Sequence, residues 1–262
     1  MDLGIRGRHA LVLASSQGLG LGVATALAAE GVDLMLASRS EERLREAAAS
    51  LAAGHGVRAK ARVCDLESAD SVEALADAAL AAFGAIDILV NNTGGPPAGV
   101  VTSIDVSTWY RQFDQMIMSI FRITGRVLPG MRSRGWGRIL TIASSSVIQP
   151  IPHLGISNTL RPALVAWSKS LSNEVAADGV TVNVILPGRI RTARVEELDR
   201  LASARQGRPI EEVVKETEAQ IPMGRYGRVD ELGSVAAFLA SERASYITGC
   251  VVRVDGGAIR SV

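Results

Sequence analysis

The sequence predicts an α/β fold: a doubly wound parallel sheet of about seven strands with helices on both faces. Three observations predict it. Short β-branched or aliphatic runs alternate with longer Ala-rich stretches, the arrangement that right-handed βαβ crossovers build into a parallel sheet. Helical stretches stop at glycines, namely Gly31, Gly84 and Gly179. A cluster of three glycines, Gly18, Gly20 and Gly22, joins the first strand directly to the first helix.

Strands are expected at about 9–15, 32–38, 57–63, 86–91, 137–144, 180–186 and 249–254. Helices are expected near 18–30, 41–53, 68–83, 105–134, 157–178 and 229–240. The stretch 68–83 shows the reasoning. Val72, Leu75, Ala76, Ala79, Leu80 and Phe83 recur at three and four residues on one helical face, with Ser68 placed to cap and Gly84 to stop. In the stretch 105–134, Phe113, Met116, Ile117, Ile120 and Ile123/Thr124 share a face suited to core packing or a subunit seam, with Trp109 and Tyr110 as packing or interface residues. Pro162 interrupts the stretch 157–178, so that helix should kink there or start late. From about 189 to 222 the chain is charged and weakly periodic, Glu211-Glu212-Val213-Val214 being its best helical turn. It reads as a substrate lid over the carboxyl edge of the sheet. No repeat, low-complexity tract or linker divides residues 1–262, which read as a single domain.

Composition excludes several classes of function. The 28 Lys and Arg against 27 Asp and Glu leave a formal charge of +1, so no global field recruits nucleic acid or an anionic membrane. Apolar residues at 47% and charged ones at 21% argue against general disorder, and aromatics at 4% imply an aliphatic core. Cys64 and Cys250 make no disulfide framework and no metal-spaced cluster, which suits a reducing cytoplasm. The charged start, Met1 to His9, is unlike a signal peptide, and no apolar run approaches a membrane span. A cytoplasmic protein without metal, nucleic-acid or membrane partners is expected.

The first strand runs into Ala14-Ser15-Ser16-Gln17-Gly18-Leu19-Gly20-Leu21-Gly22 and then a helix, a geometry that presents free N–H groups to a pyrophosphate. Alone, the cluster also suits a close-packed turn. The spacing resembles the end of T-G-x-x-x-G-x-G, the loop of the short-chain dehydrogenase/reductase family, with Leu13 and Ala14 in place of its Thr and first Gly. Further landmarks recur in order: Asp65-Leu66, Asn91-Asn92-Thr93-Gly94, Pro187-Gly188 and Val254-Asp255-Gly256-Gly257. Together they cover nearly the whole chain, which is most similar in flavour to 3-oxoacyl-acyl-carrier-protein reductases. The resemblance implies a Rossmann-type sheet. It also implies a cofactor site in which Ser15, Ser16, Gly18, Leu19 and Gly20 form the phosphate loop and Asp65 and Leu66 border the adenine. Asn91 and Gly94 would pass beneath the cofactor, Pro187 and Gly188 begin the turn beside it, and Ile190 and Thr192 face the nicotinamide carboxamide. Asp65 equally suits a cap of the next helix, and Asn91 a turn residue. The family assembles across its two long helices, so a homo-oligomer, dimer or homotetramer, is expected.

At the end of the second strand stands Ser38 followed by Arg39, where an NAD site would place a carboxylate. A guanidinium there can bind a 2′-phosphate bidentately, which points to NADP(H); a surface pair with Glu41 or Glu42 is the other reading.

The family's catalytic Asn, Ser, Tyr and Lys are only partly matched. Ser144 falls at the Ser position. Thirteen residues on, at the Tyr position, stands Ser157; four further, at the Lys position, Arg161; the Asn position is Met116. Serine is far less acidic than a phenol of pKa about 10, so Ser157 does not replace tyrosine as an acid. Arg161 is an electrostatic group rather than a proton donor. His153, Ser145, Ser146 or an ordered water are other proton sources. His9 and His55 have no nearby partner in the sequence.

The first expectation is therefore an NADP(H)-dependent oxidoreductase interconverting a carbonyl, on a small molecule or an acyl thioester, with a secondary alcohol. Ser144 would bond the carbonyl; Ser157 and Arg161 would orient substrate and ribose. A catalytically silent NADP(H)-binding sensor or assembly subunit, and a non-redox enzyme on the same scaffold, are the alternatives.

Overall fold

A computed structural model of the chain describes residues 1–261. Its seven strands form one parallel sheet in the order β3-β2-β1-β4-β5-β6-β7. They are β1 (His9–Leu13), β2 (Asp33–Ser38), β3 (Ala59–Val63), β4 (Ile88–Asn91), β5 (Gly137–Ile142), β6 (Val180–Pro187) and β7 (Val251–Val254). The inner strands are nearly continuous apolar runs, because helices cover them on both faces; β4 and β5 are buried throughout. The edges differ: β3 is largely exposed and β7 half so.

One face carries α1 (Gly18–Ala29), α2 (Glu41–His55) and α9 (Val229–Leu239), packed on Val12, Leu34, Leu36, Ile88 and Leu140. The other carries α3 (Ala69–Phe83), α5 (Ser119–Ser133) and α6 (Gly155–Val175), packed on Leu11, Leu13, Leu89, Ile139 and Val182. Alternate residues of each strand thus serve opposite cores. The start and stop of α3 are those the sequence predicts: Ser68 Oγ accepts from Ser71 N at 3.2 Å, and Gly84 ends the helix at φ +75°.

Four elements depart from expectation. The expected helix 105–134 is divided into α4 (Val106–Phe113), a π-helical turn (Asp114–Met118) and α5. The added residue of a π turn redirects the following helical face. Next, α6 begins at Gly155 and passes through Pro162, instead of starting late; only the donor at Pro162 is lost, and its neighbours hold the helix. Finally, the segment 189–222 contains two helices, α7 (Ala193–Gln206) and α8 (Ile210–Ala219). Its buried positions are few, Val195 and Asp199 in α7 and Val213 in α8, which is why periodicity hid both helices. The first strand also stops at Leu13, two residues early, because Ala14 turns out of the sheet.

Candidate active site

Between β1 and β4 the strand order reverses, and crevices at the carboxyl ends of parallel strands open at such points. A cleft of about 750 Å³ lies there, lined from the β1–α1 loop, the ends of β2 to β6 and the first turns of α7.

Its outer end is built by the glycine loop. Gly20 packs so tightly that a Cβ would lie 2.3 Å from the Ala14 carbonyl oxygen and 2.8 Å from Asn92 Nδ2. Asn92 Nδ2 in turn donates to the Leu13 and Ala14 carbonyls, both at 3.3 Å, and so ties β4 to the loop. The N-cap of α1, Gln17, supplies no side-chain acceptor to the first turn, whose N–H groups therefore have no internal side-chain partner. Ser16, Gly18 and Leu19 line this end, with Ser38, Arg39, Asp65 and Leu66 beyond them. Arg39 is exposed, and among the described residues it forms no ion pair with Glu41 or Glu42. Arg43, one turn along α2, joins it at the cleft and donates through Nη1 to Gln17 Oε1 at 2.8 Å. Asp65 lines the cleft and its Oδ1 accepts from Glu67 N at 3.1 Å in the turn before α3, but it does not cap that helix, whose N-cap is Ser68.

Three expected cofactor residues lie behind the cleft rather than on its surface. Ser15 is fully buried: its Oγ donates to Val12 O at 2.7 Å and accepts from Ala37 N at 3.0 Å, joining β1 to β2. Asn91 is also fully buried; Nδ2 donates to Thr124 Oγ1 at 3.4 Å and Oδ1 has no partner. Gly20 backs onto Ala14 as described. Asn91 is the last residue of β4 and its side chain turns into the core, whereas Ser15 lies past the end of β1 and Gly20 within α1. Gly94, Pro187, Gly188, Ile190 and Thr192 do line it. Thr192 also accepts from Val195 N at 3.4 Å, so the cap of α7 stands beside the glycine loop.

The inner end gathers Ser144, Ser157 and Arg161. Ser144 Oγ accepts from Ser146 N at 3.1 Å, and Ser146 Oγ lies 3.2 Å from Ser157 Oγ, so β5 and α6 are joined by hydroxyls. Arg161 lies one helical turn beyond Ser157 on the same face and is only 6% exposed. Its Nη1 donates to Ile142 O at 2.7 Å, while Nε has no partner. Burial, and then the charge of Arg194, pull its pKa down to about 10. Arg194 itself spans from α7 to Pro96 O, where Nη2 donates at 2.5 Å, and its Nη1 meets Glu197 at 2.9 Å.

Of the other candidates, Met116 is buried among Ile117, Ile120, Ile156, Leu160 and Leu164, and the amide that reaches the cleft is that of Gln115, beside Gly94. The sequence reading missed Gln115 because the π turn shifts the face. It also missed Arg43, although four-residue spacing from Arg39 was a usable signal, and Asn92 and Arg194, for which no local signal exists. His153 does not line the cleft; its carbonyl accepts from Gly99 N at 2.7 Å. His9 stacks on Phe83 and lies 3.8 Å from Asp87, a structural pairing. Tyr110 is exposed on α4, and Trp109 packs against the Met116 cluster. Among the described residues no cluster of His, Cys, Asp and Glu could hold a metal, and no helix is long and apolar enough to cross a membrane.

Comparison with known proteins places this geometry in context. The family described as enoyl-(acyl carrier protein) reductase matches residues 13–258. The chain is 34% identical to the 3-oxoacyl-(acyl-carrier-protein) reductase of Salmonella typhimurium over 97% of this chain and 98% of that one. The crystal structure of L-sorbose reductase from Gluconobacter frateurii, complexed with NADPH and L-sorbose, superposes with a TM-score of 0.95 at 33% identity and covers all of both chains. An actinorhodin polyketide ketoreductase variant with NADPH superposes at 0.92, with 32% identity over 96% of this chain and 97% of that one.

Proposed function

Because the chain belongs to the short-chain dehydrogenase/reductase family, we propose that it is an NADP(H)-dependent ketoreductase whose proton path differs from the family's usual relay. One observation carries the reading. The uncapped first turn of α1, the exposed Arg39 and the hydroxyls of Ser144 and Ser157 all face one cleft. The residues fit the cofactor: N–H groups at a helix start donate to a pyrophosphate, and Arg39 with Arg43 can donate to a 2′-phosphate. Relatives solved with NADPH at 32–33% identity support the same reading.

When bound, NADPH supplies the hydride. The protein's task is then to hold the carbonyl and deliver a proton. Ser144 donates a hydrogen bond to the carbonyl oxygen. Ser157, hydrogen-bonded to Ser146, relays a proton from water, since neither hydroxyl is acidic enough to be its net source. Arg161 is a fixed cation that orients the substrate and the cofactor's ribose. Helices α7 and α8 form the lid of this one catalytic domain, and the exposed Val106, Tyr110 and Phe113 of α4 suit a second copy of the chain in a homo-oligomer.

A second reading, a silent NADP(H)-binding protein, is favoured by the serine at 157, which lacks a phenol's acidity. Following NADPH absorbance with 3-oxoacyl thioesters and small ketones, alongside NADPH binding, separates the two. Turnover that falls about 10-fold or more in Ser144→Ala, and in Ser157→Ala, supports the ketoreductase. Tight binding with no oxidation across the panel supports the silent reading; rates unchanged in both variants remove the site assignment.

A further inference from the structure

The unusual feature of the inner cleft is a buried cation with nothing to neutralise it. Arg161 satisfies one donor on Ile142 O and leaves Nε without a partner. Among the described residues no carboxylate acts on it, and the charged group that does is a second arginine, Arg194. Burying an unpaired charge is costly in a finished fold, and a ligand anion would offset that cost. Arg200 lines the same wall, and against these cations Glu197 is the carboxylate on that wall, already paired with Arg194. The first turn of α6, which contains Ser157, has no side-chain cap either.

From these observations we infer that the inner cleft is a carboxylate seat: Arg161, assisted by Arg194, selects oxo acids, held by their carboxylate while Ser144 and Ser157 meet the carbonyl. The assignment deepens the ketoreductase reading and rests on it. A phosphate of the cofactor is the less suitable occupant, because the phosphates already have the α1 amides and Arg39 with Arg43 at the outer end. Arg161 instead stands beside the hydroxyls that would face the reacting carbon.

The test is calorimetric titration of the full-length protein, with and without saturating NADPH, using acid and neutral amide pairs of equal shape. These are pyruvate and pyruvamide, acetoacetate and acetoacetamide, and levulinate and levulinamide. At least one acid should bind about 10- to 100-fold more tightly than its amide, the worth of a charge-assisted hydrogen bond. Arg161→Met should erase the ratio, Arg161→Lys should keep part of it, and Arg194→Met should reduce it. Equal binding within every pair, or a ratio that survives Arg161→Met, overturns the assignment. If Arg161→Met does not fold, a ratio unchanged in both Arg161→Lys and Arg194→Met overturns it equally. NADPH affinity is measured on the same variants: a loss of NADPH binding with a flat acid-to-amide ratio gives the cation to the cofactor and also overturns it. Failure of the ketoreductase reading looks different, since wild-type protein would then bind NADPH without oxidising it across the ketone panel, or not bind it, while the titration without cofactor still reads the carboxylate ratio.

Discussion

The two ends of the cleft solve opposite problems. At the outer end the backbone is tightly constrained and the charges are free: Gly20 leaves no room for a side chain, while Arg39 projects from the rim into solvent. At the inner end charge and polarity are buried, and Arg161 Nε, Asn91 Oδ1 and Thr93 Oγ1 all lack partners. The outer end offers shape and exposed charge, which local spacing encodes. The inner end offers groups left unsatisfied, and these exist only once β4, β5, α6 and α7 have met.

Breaking the backbone at the outer end should have the largest effect. In Gly20→Val the Cβ would meet the Ala14 carbonyl, which cannot turn aside without moving the loop. A loss of about 3 kcal/mol of stability, the upper range for forced overpacking, is expected as a lowered urea midpoint, together with loss of NADPH binding. A variant that keeps both would show that the glycine loop is not under the constraint described.

The charge at the rim comes next. Removing Arg39 as Arg39→Ala should weaken NADPH by about 10- to 100-fold, from one charged hydrogen bond of about 1.5–3 kcal/mol, and leave NADH unchanged. Equal losses for the two cofactors in fluorescence titrations would mean that Arg39 shapes the rim instead of reading the phosphate. The inner cation should differ from it in pH response. The Arg161 pKa in the fold, about 10, lies below its ordinary 12.5, so its charge is penalised in the native state below that point. Native stability therefore gains as pH rises from about 10 towards 12.5, while the carboxylate ratio falls away over the same rise as the cation is neutralised. Arg194 is the charged group facing it. A ratio that stays constant up to the ordinary guanidinium range, about pH 12, would place the seat elsewhere.

The same division explains what the sequence made legible. Caps and stops such as Ser68 and Gly84 act on residues three or four away, so α3 is readable, and the glycine loop, Arg39, Ser144 and the Ser157–Arg161 turn are readable for the same reason. The helices α7 and α8 are not, because a segment with few buried positions needs little apolar periodicity. Arg194 and Asn92 act across the fold, on Pro96 and on the β1–α1 loop, and nothing near them in sequence announces those partners. Ser15 and Asn91 sit at the right place in the chain, yet both side chains turn inward: Asn91 at the end of β4, and Ser15 past the Ala14 turn, where its hydroxyl bonds Val12 O and Ala37 N.

The smallest expected effect lies at the hinge between the strand and the outer end. Ala14 occupies φ +47°, in the left-handed region where an L side chain is strained by about 1–2 kcal/mol, and it stands where the family's loop has a glycine. The chain has kept the glycine's conformation without the glycine, because the Ala14 carbonyl must accept from Asn92 and back onto Gly20. Ala14→Gly removes the strain but frees the unfolded chain, which offsets about 0.4–1 kcal/mol of the gain. A net stabilisation of about 0.5–1 kcal/mol is expected from these two terms, read as a small rise in the urea midpoint with NADPH affinity unchanged. A destabilised Ala14→Gly would mean that the loop does not hold this residue in the left-handed region, and that the tight backbone of the outer end begins only at Gly18.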